Sequence, residues 1–306
     1  LIYTLTLNPA VDYKIVVDGF QKGCLNHALM SNFFAGGKGI NVSSVLKNFD
    51  TESIAFGFVG GFTGDYIEHS LDLREIKHDF VRIAEHTRIN IKMMSRGEET
   101  EINGNSPVIL ESDFQLLITK LKQLENDILI MSGSIPSSLG RAYNELGKHV
   151  SGKVQLIADT SGLALQEIIE LKPFLIKPNI KELEELLGIK LSSVEDIIRV
   201  AHKLIDKGVQ NIIVSMGGDG AVFVGTRDAC VATVPKIDSL STIGAGDSVV
   251  AGFVYAYCNG NSFHDSFKFG VASGTATALR GQLCNLDDVK GMLDRVKLEQ
   301  ISLDLS

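Results

Sequence analysis

Apolar runs of strand length recur along the chain, at residues 53–58, 127–132, 154–159, 174–176 and 211–215. Each is followed by Gly, Ser or Asn and then by a stretch with helical spacing. Their hydrophobicity is continuous rather than alternating. Strands of that kind are covered on both faces, the pattern of a parallel sheet between helix layers in an α/β fold. A length of 306 residues, 44% of them hydrophobic, suffices for one large α/β domain with a small appendage. No internal repeat or Pro-rich linker divides it.

Two regions break the rhythm. Residues 11–35 offer no helix and read as extended segments at 12–17 and 27–34. In 87–103 the run Arg88-Ile89-Asn90-Ile91-Lys92-Met93 alternates strictly, Ser95-Arg96-Gly97-Glu98 turns the chain, and 99–102 returns. This predicts a β-hairpin with Ile89, Ile91 and Met93 on one face and Arg88, Asn90 and Lys92 on the other. Together the two insertions, 11–35 and 87–103, predict a small β-sheet lid on a single domain spanning 1–306. The lid's polar face suits either open water or a phosphorylated ligand, because Arg forks onto phosphate bidentately. Its apolar face needs cover and suits a homodimer contact.

Composition removes several classes. The longest apolar run, 249–258, is ten residues, against the ~18 that a membrane span needs, so no membrane partner is expected. Lys plus Arg is 29 against 37 Asp plus Glu, a net charge of −8. That argues against a nucleic-acid surface and means that any anion must be met by locally gathered cations. Cys24, Cys230, Cys258 and Cys284 are scattered, as reduced thiols are, and the seven histidines show no zinc spacing. The first residues, Leu1 to Leu7, read as a strand with no basic lead-in, so a signal peptide is not expected. The chain is expected to be cytoplasmic.

Glycine supplies the sharpest motifs. None of the clusters matches the GxxxxGK[ST] phosphate loop. Gly57–Gly64 loosely resembles a dinucleotide loop, but the acidic residue that such a loop requires after the next strand is missing. Asp79 precedes its strand, so a nicotinamide dehydrogenase fits poorly. Gly244-Ala245-Gly246-Asp247 opens residues 248–258, which are apolar on every side and predict a buried helix. Unpaired N–H groups at such a terminus bind anions. Asp247 there suits an ordinary helix start, complementing the dipole; beside a bound anion it repels the ligand unless it has a task, such as accepting a proton from an attacking hydroxyl. Asn179 and Glu182 admit two readings: a capping box opening the helix 180–187, or water-mediated contact with Mg²⁺ and nucleotide phosphates.

Taken in order, seven motifs resemble the PfkB (ribokinase-like) carbohydrate kinases. They are Asn8-Pro9-Ala10-Val11-Asp12, Gly36-Gly37-Lys38-Gly39-Ile40-Asn41-Val42, Thr87-Arg88-Ile89-Asn90-Ile91-Lys92, Glu99-Thr100-Glu101-Ile102-Asn103, Ser132-Gly133-Ser134-Ile135-Pro136, Lys177-Pro178-Asn179 and Gly244-Ala245-Gly246-Asp247-Ser248. Within the family the chain is most similar to the branch of 1-phosphofructokinases and tagatose-6-phosphate kinases. The resemblance implies a Rossmann-like three-layer α/β/α domain with a β-sheet lid, and ATP and Mg²⁺ as co-substrate and cofactor. It implies Asp247 as base, with Gly244, Ala245 and Gly246 as the anion hole. It places Asp12, Gly37, Lys38 and Asn41 at the sugar, and Arg88, Ser134, Asn90 and Lys92 at the phosphate already on it. Lys177, Asn179, Glu182, Ser215, Gly217, Gly220 and Ser273 would serve the nucleotide, with Asn179 and Glu182 reaching Mg²⁺ through water.

Three departures stand out. His27 replaces a basic residue that in some relatives reaches a neighbouring active site, Ala35 replaces a Pro, and the segment from Ala278 to Cys284 does not follow the pattern. The resemblance implies phosphorylation of a hexose phosphate. Ala245 favours fructose 1-phosphate over tagatose 6-phosphate, whose kinases often carry Ser there, with fructose 6-phosphate third. A retired kinase acting as a sugar-phosphate sensor is expected to have lost Asp247, which is present.

Overall fold

Side-chain alternation explains how each apolar run becomes a strand covered on two sides. In the central strand at 127–132, Leu129 and Met131 enter one buried cluster while Ile128 and Ile130 enter another. The computed structural model describes residues 1–301. The chain begins with β1 (Ile2–Thr6), leaves for β2 (Ala10–Val17) and β3 (Ala28–Gly36), and returns through α1 (Lys38–Asn48), β4 (Ile54–Val59) and α2 (Gly61–Asp72). Two short strands follow, β5 (Lys77–His78) and β6 (Val81–Arg82), then the hairpin β7 (Arg88–Ser95) and β8 (Glu98–Ile102). From there helices and strands alternate: α3 (Glu111–Leu121), β9 (Asp127–Ser132), α4 (Ala142–Val150), β10 (Val154–Asp159), α5 (Gly162–Glu170), β11 (Leu175–Ile176) and α6 (Ile180–Leu187). After α7 (Val194–Ile205) come β12 (Asn211–Ser215), β13 (Ala221–Gly225) and β14 (Ala229–Thr233). The last elements are α8 (Ala245–Cys258), α9 (Phe263–Arg280), α10 (Leu286–Leu293) and β15 (Lys297–Ile301).

The large sheet runs β15-β14-β13-β12-β11-β10-β9-β1-β4-β5, with β6 also on β4. It is parallel from β12 to β5 and antiparallel from β12 to β15. One face packs on α3 to α7 through residues such as Phe114, Tyr143, Leu165, Leu183 and Ile197; the other packs on α1, α8, α9 and α10 through Val45, Phe253, Phe267 and Val289. Burying each large apolar side chain stabilises by ~1.5–3 kcal/mol, so Leu129→Ala, at 0% exposure, is expected to cost ~2–5 kcal/mol. The three-layer α/β/α expectation is met. The antiparallel edge was not anticipated: β13 and β14 meet at a tight hairpin, and β15 closes on β14 from the far end of the chain.

The lid is a four-stranded sheet in the order β3-β2-β7-β8. Its β2–β7 pairing is parallel, with Asp12 opposite Asn90 and Lys14 opposite Lys92. This register puts Asp12, Asn90 and Lys92 on one face. Among the described residues no helix is long and apolar enough to cross a membrane.

Some boundaries move. The expected strand 174–176 shortens to Leu175–Ile176, the strand at 53–58 shifts to Ile54–Val59, and the helix expected at 248–258 begins at Ala245. Gly39 and Gly246 therefore lie in the first turns of α1 and α8, with Gly37 and Gly244 at their caps. The reason is local: Gly37 (φ 136°) and Gly244 (φ 74°) cap these helices in conformations that only glycine adopts easily.

Candidate active site

Sheet order is what gathers the chemistry. From β1 the sheet extends to β4 on one side and β9 on the other, and at such a switch point the crevice beyond the strands' carboxyl ends is open to a ligand. The ends of β1, β9, β10, β11 and β12 deliver Asn8, Ser134, Asp159, Lys177 and Ser215 to that crevice, and the N-termini of α1 and α8 face it.

Asp247 sits in the first turn of α8, 5% exposed. Its Oδ2 accepts a 2.7 Å hydrogen bond from Asn41 Nδ2 in the first turn of α1. Burial and then the nearby Asp159 charge push its carboxyl up to about 6, against the pull of Lys38, the Asn41 bond and Lys177. A carboxylate poised there is ionised at neutral pH yet still basic enough to take a proton. Beside it the nest differs from the expected one. Ala245 N–H is bonded to Thr242 O at 3.2 Å, while the N–H groups of Gly244, Gly246 and Asp247 have no backbone acceptor among the described residues.

Asp159 is the residue that sequence reading missed. It is 1% exposed and takes Lys38 Nζ at 2.9 Å and Lys177 Nζ at 3.3 Å on the same oxygen. Burial raises its carboxyl, but Lys177 and Lys38 outweigh burial and hold it below the usual carboxylate range. For Lys38, burial lowers the ammonium, while Asp159, Asp247 and Glu182 raise it to a net upward shift. A Cβ on Gly246 would stand 3.2 Å from Lys177 Nζ, so this lysine lies against the nest. The signal was available: a lone acid ends a buried apolar strand, and an ion there requires partners.

The residues expected at the sugar phosphate cluster in two groups. Asp12 accepts from Asn90 Nδ2 at 3.0 Å on one oxygen and pairs with Lys92 Nζ at 2.9 Å on the other. A Cβ on Gly36 would fall 2.7 Å from its carboxyl, so the glycine that ends β3 leaves room for the carboxyl of the neighbouring lid strand β2. Asn90 and Lys92, expected at a phosphate, are thus directed to Asp12 instead. Arg88 Nη2 donates to Asn8 O at 3.1 Å, and Asn8 Nδ2 donates to Ser134 Oγ at 3.1 Å. Burial lowers the Arg88 guanidinium while Asp12 supports it.

Among the residues expected at the nucleotide, Asn179 and Glu182 form a complete capping box, with both bonds at 2.8 Å. Ser215 N–H donates to Pro178 O at 3.0 Å and pairs with Asn179, so these three are together. Gly217 and Gly220 bracket a short turn after β12; at Gly220 (φ 100°) a Cβ would strike Ala232 O at 1.9 Å. Ser273, expected at the nucleotide, lies elsewhere. It is 0% exposed, its hydroxyl donates to Phe269 O at 2.8 Å, and it packs where a Cβ on Gly252 would meet it at 2.3 Å. It belongs to the α8–α9 contact and not to the open crevice. His27 is exposed in the loop before β3. Among the described residues no group of three acids, histidines or cysteines could hold a bare metal ion.

The model of the pfkB family carbohydrate kinases matches residues 5–288. A 1-phosphofructokinase of Borreliella burgdorferi is 60% identical over 304 residues, covering 98% of this chain and 99% of that protein. A tagatose-6-phosphate kinase of Staphylococcus epidermidis is 33% identical over 299 residues, covering 95% and 96%. The structure of phosphofructokinase-2 from Escherichia coli in complex with substrates and products superposes with a TM-score of 0.91 at 28% identity, covering 96% of this chain and 98% of that one.

Proposed function

This chain belongs to the pfkB family of carbohydrate kinases, and from that premise we propose that it transfers the γ-phosphoryl group of ATP to the free 6-hydroxyl of fructose 1-phosphate, giving fructose 1,6-bisphosphate and ADP. One observation carries the chemistry: a buried carboxylate, Asp247, pushed up to about 6 and held by Asn41 beside open backbone donors. The choice of sugar phosphate follows the 60% identity to a 1-phosphofructokinase, against 33% to a tagatose-6-phosphate kinase.

Phosphoryl transfer is mostly positioning and charge stabilisation. The sugar lies between the lid and the main domain, its hydroxyls held by Asp12 and Asn41, with Gly37 and Lys38 along its side. Its existing phosphate meets Arg88 and Ser134. Asp247 takes the proton of the acceptor hydroxyl as that oxygen bonds to the γ-phosphorus. The bond from phosphorus to the β–γ bridging oxygen breaks, and the electron pair leaves with ADP. The Gly244, Gly246 and Asp247 N–H groups donate to the equatorial oxygens, and Lys177 balances the charge that develops on the phosphates.

The site fits Mg²⁺ arriving with the nucleotide. Mg²⁺ keeps most of its waters and needs few protein ligands, and Glu182 has one carboxylate oxygen in the capping box and its other oxygen unbonded among the described residues. Glu182 and Asn179 would hold it through water. When bound, the ion neutralises phosphate charge.

On the lid face turned away from Asp12, Leu29 and Phe33 of β3 are exposed at 73% and 52%. That apolar surface supports a homodimer through the lid, which sedimentation velocity tests directly.

A coupled ADP-release assay with Mg²⁺–ATP and fructose 1-phosphate, tagatose 6-phosphate, fructose 6-phosphate and ribose in parallel tests the whole reading. The highest kcat/KM is expected for fructose 1-phosphate. A preference for tagatose 6-phosphate moves the substrate and keeps the mechanism. No turnover with any of the four returns the chain to a sensor role.

A further inference from the structure

We propose that Ser106 is a third phosphate-binding group beside Arg88 and Ser134, and that Asn8 is the positioning residue that aims all three. This deepens the reading above, because it rests on Arg88 and Ser134 facing the phosphate that the sugar already carries.

Asn8 is the hub. Its side-chain amide donates one hydrogen to Ser106 Oγ at 2.8 Å and the other to Ser134 Oγ at 3.1 Å, while its main-chain carbonyl accepts from Arg88 Nη2 at 3.1 Å. A hydroxyl has one proton to give and two lone pairs to receive with. Each serine oxygen here is receiving, and neither hydroxyl proton has an acceptor among the described residues. Both protons are therefore free to turn toward a ligand, from side chains that solvent reaches. Asn8 itself is 6% exposed, and one buried donor of this cluster, Arg88 Nε, has no partner. Buried polar groups are rarely left open unless something else completes them. Two hydroxyl donors and a half-buried guanidinium make a group that gives hydrogen bonds outward, which suits a phosphate dianion.

Ser106 is held in place. Its loop is pinned by Gly104 N–H to Asn90 Oδ1 at 3.2 Å, Val108 N–H to Glu85 Oε2 at 2.8 Å and Ile109 N–H to Ser138 Oγ at 3.0 Å. Gly104 passes so close to β7 that a Cβ there would lie 2.4 Å from Ile89 O. The loop after the lid hairpin is thus bound both to the lid and to the main domain, and it carries Ser106 into the cup.

Steady-state kinetics of Ser106→Ala, Ser106→Thr, Asn8→Asp and Arg88→Ala test this, with inorganic phosphate as a competitive inhibitor against fructose 1-phosphate. Ser106→Ala is expected to raise the sugar-phosphate KM about tenfold, as loss of a bond to a charged group does, with the ATP KM unmoved. The inhibition constant of inorganic phosphate is expected to rise by the same factor, and Ser106→Thr to restore both. Asn8→Asp turns both hydroxyl protons inward, since a carboxylate only accepts; it is expected to raise the sugar-phosphate KM at least as much. An unchanged KM in Ser106→Ala, with Arg88→Ala raising it, overturns the inference and leaves the phosphate reading standing. A raised KM without a change in phosphate inhibition also overturns it, placing Ser106 on the sugar. If Arg88→Ala moves only the ATP KM, the underlying reading fails, and this inference with it.

Discussion

Asn41 donates to Asp247 across 206 residues of chain, joining the first turns of α1 and α8 at 2.7 Å. The bond fixes the carboxylate over the crevice and leaves one of its oxygens for the acceptor hydroxyl. Asp247→Asn keeps the shape and the Asn41 contact but cannot take a proton. Turnover is expected to fall by at least ~10²-fold, the low end for a general base, with the sugar-phosphate KM changed far less. Near-normal turnover would sink the assignment of the base.

The same substitution is expected to stabilise the fold. With the Asp247 carboxyl at about 6 against an ordinary 3.8, the native state holds a proton that the unfolded chain has already lost between those values. Stability therefore falls as pH rises through that window, and the full cost is present above 6. The gap corresponds to ~1–3 kcal/mol. Thermal unfolding at pH 5, 6 and 7.5 should show Asp247→Asn gaining on the wild type as pH rises. A gain that is flat, or that grows on acidification, would show that burial does not raise this carboxyl.

Asp159 sets the charge around the base. Asp159→Asn removes a nearby negative charge that raises Asp247 and leaves Lys38 and Lys177 unneutralised, which lowers it further. The acid limb of kcat/KM is expected to move down by about one pH unit. The sugar phosphate titrates in the same region, but it does so identically in both enzymes, so the difference between the two profiles belongs to the protein. Breaking the buried ion cluster is also expected to cost about 3 kcal/mol. A limb that stays in place would mean that Asp159 does not act on Asp247.

What the sequence made legible follows from how locally each feature is encoded. Continuous apolar runs announced the parallel strands, strict alternation announced the β7 strand, and seven ordered motifs placed Asp247, Asn41, Lys38 and Arg88 around one crevice. Asp159, Asn8 and Ser106 were not legible as a set, because their meaning lies in contacts with Lys38, Lys177, Ser134 and Arg88, which only folding brings near. Ser273 failed for the opposite reason. Its residue type fits a nucleotide site, while its position on α9 faces the small Gly252 of α8 and is filled by packing. The capping reading of Asn179 and Glu182 was legible, because a cap is written within four residues.

That cap separates two roles of Glu182. Gln at the third position of a capping box can still accept from the Asn179 N–H, so Glu182→Gln is expected to leave thermal stability within about 0.5 kcal/mol. It removes the charge that a hydrated Mg²⁺ would feel. The Mg²⁺ concentration for half-maximal turnover is therefore expected to rise about tenfold, in the range that loss of an outer-sphere partner produces. Asn179→Ala, by contrast, should lose about 1 kcal/mol of stability, because it removes the bond to the Glu182 N–H. If Glu182→Gln alters neither the Mg²⁺ dependence nor stability, the residue serves α6 alone through a contact that Gln replaces, and the metal must be held by nucleotide and water without it.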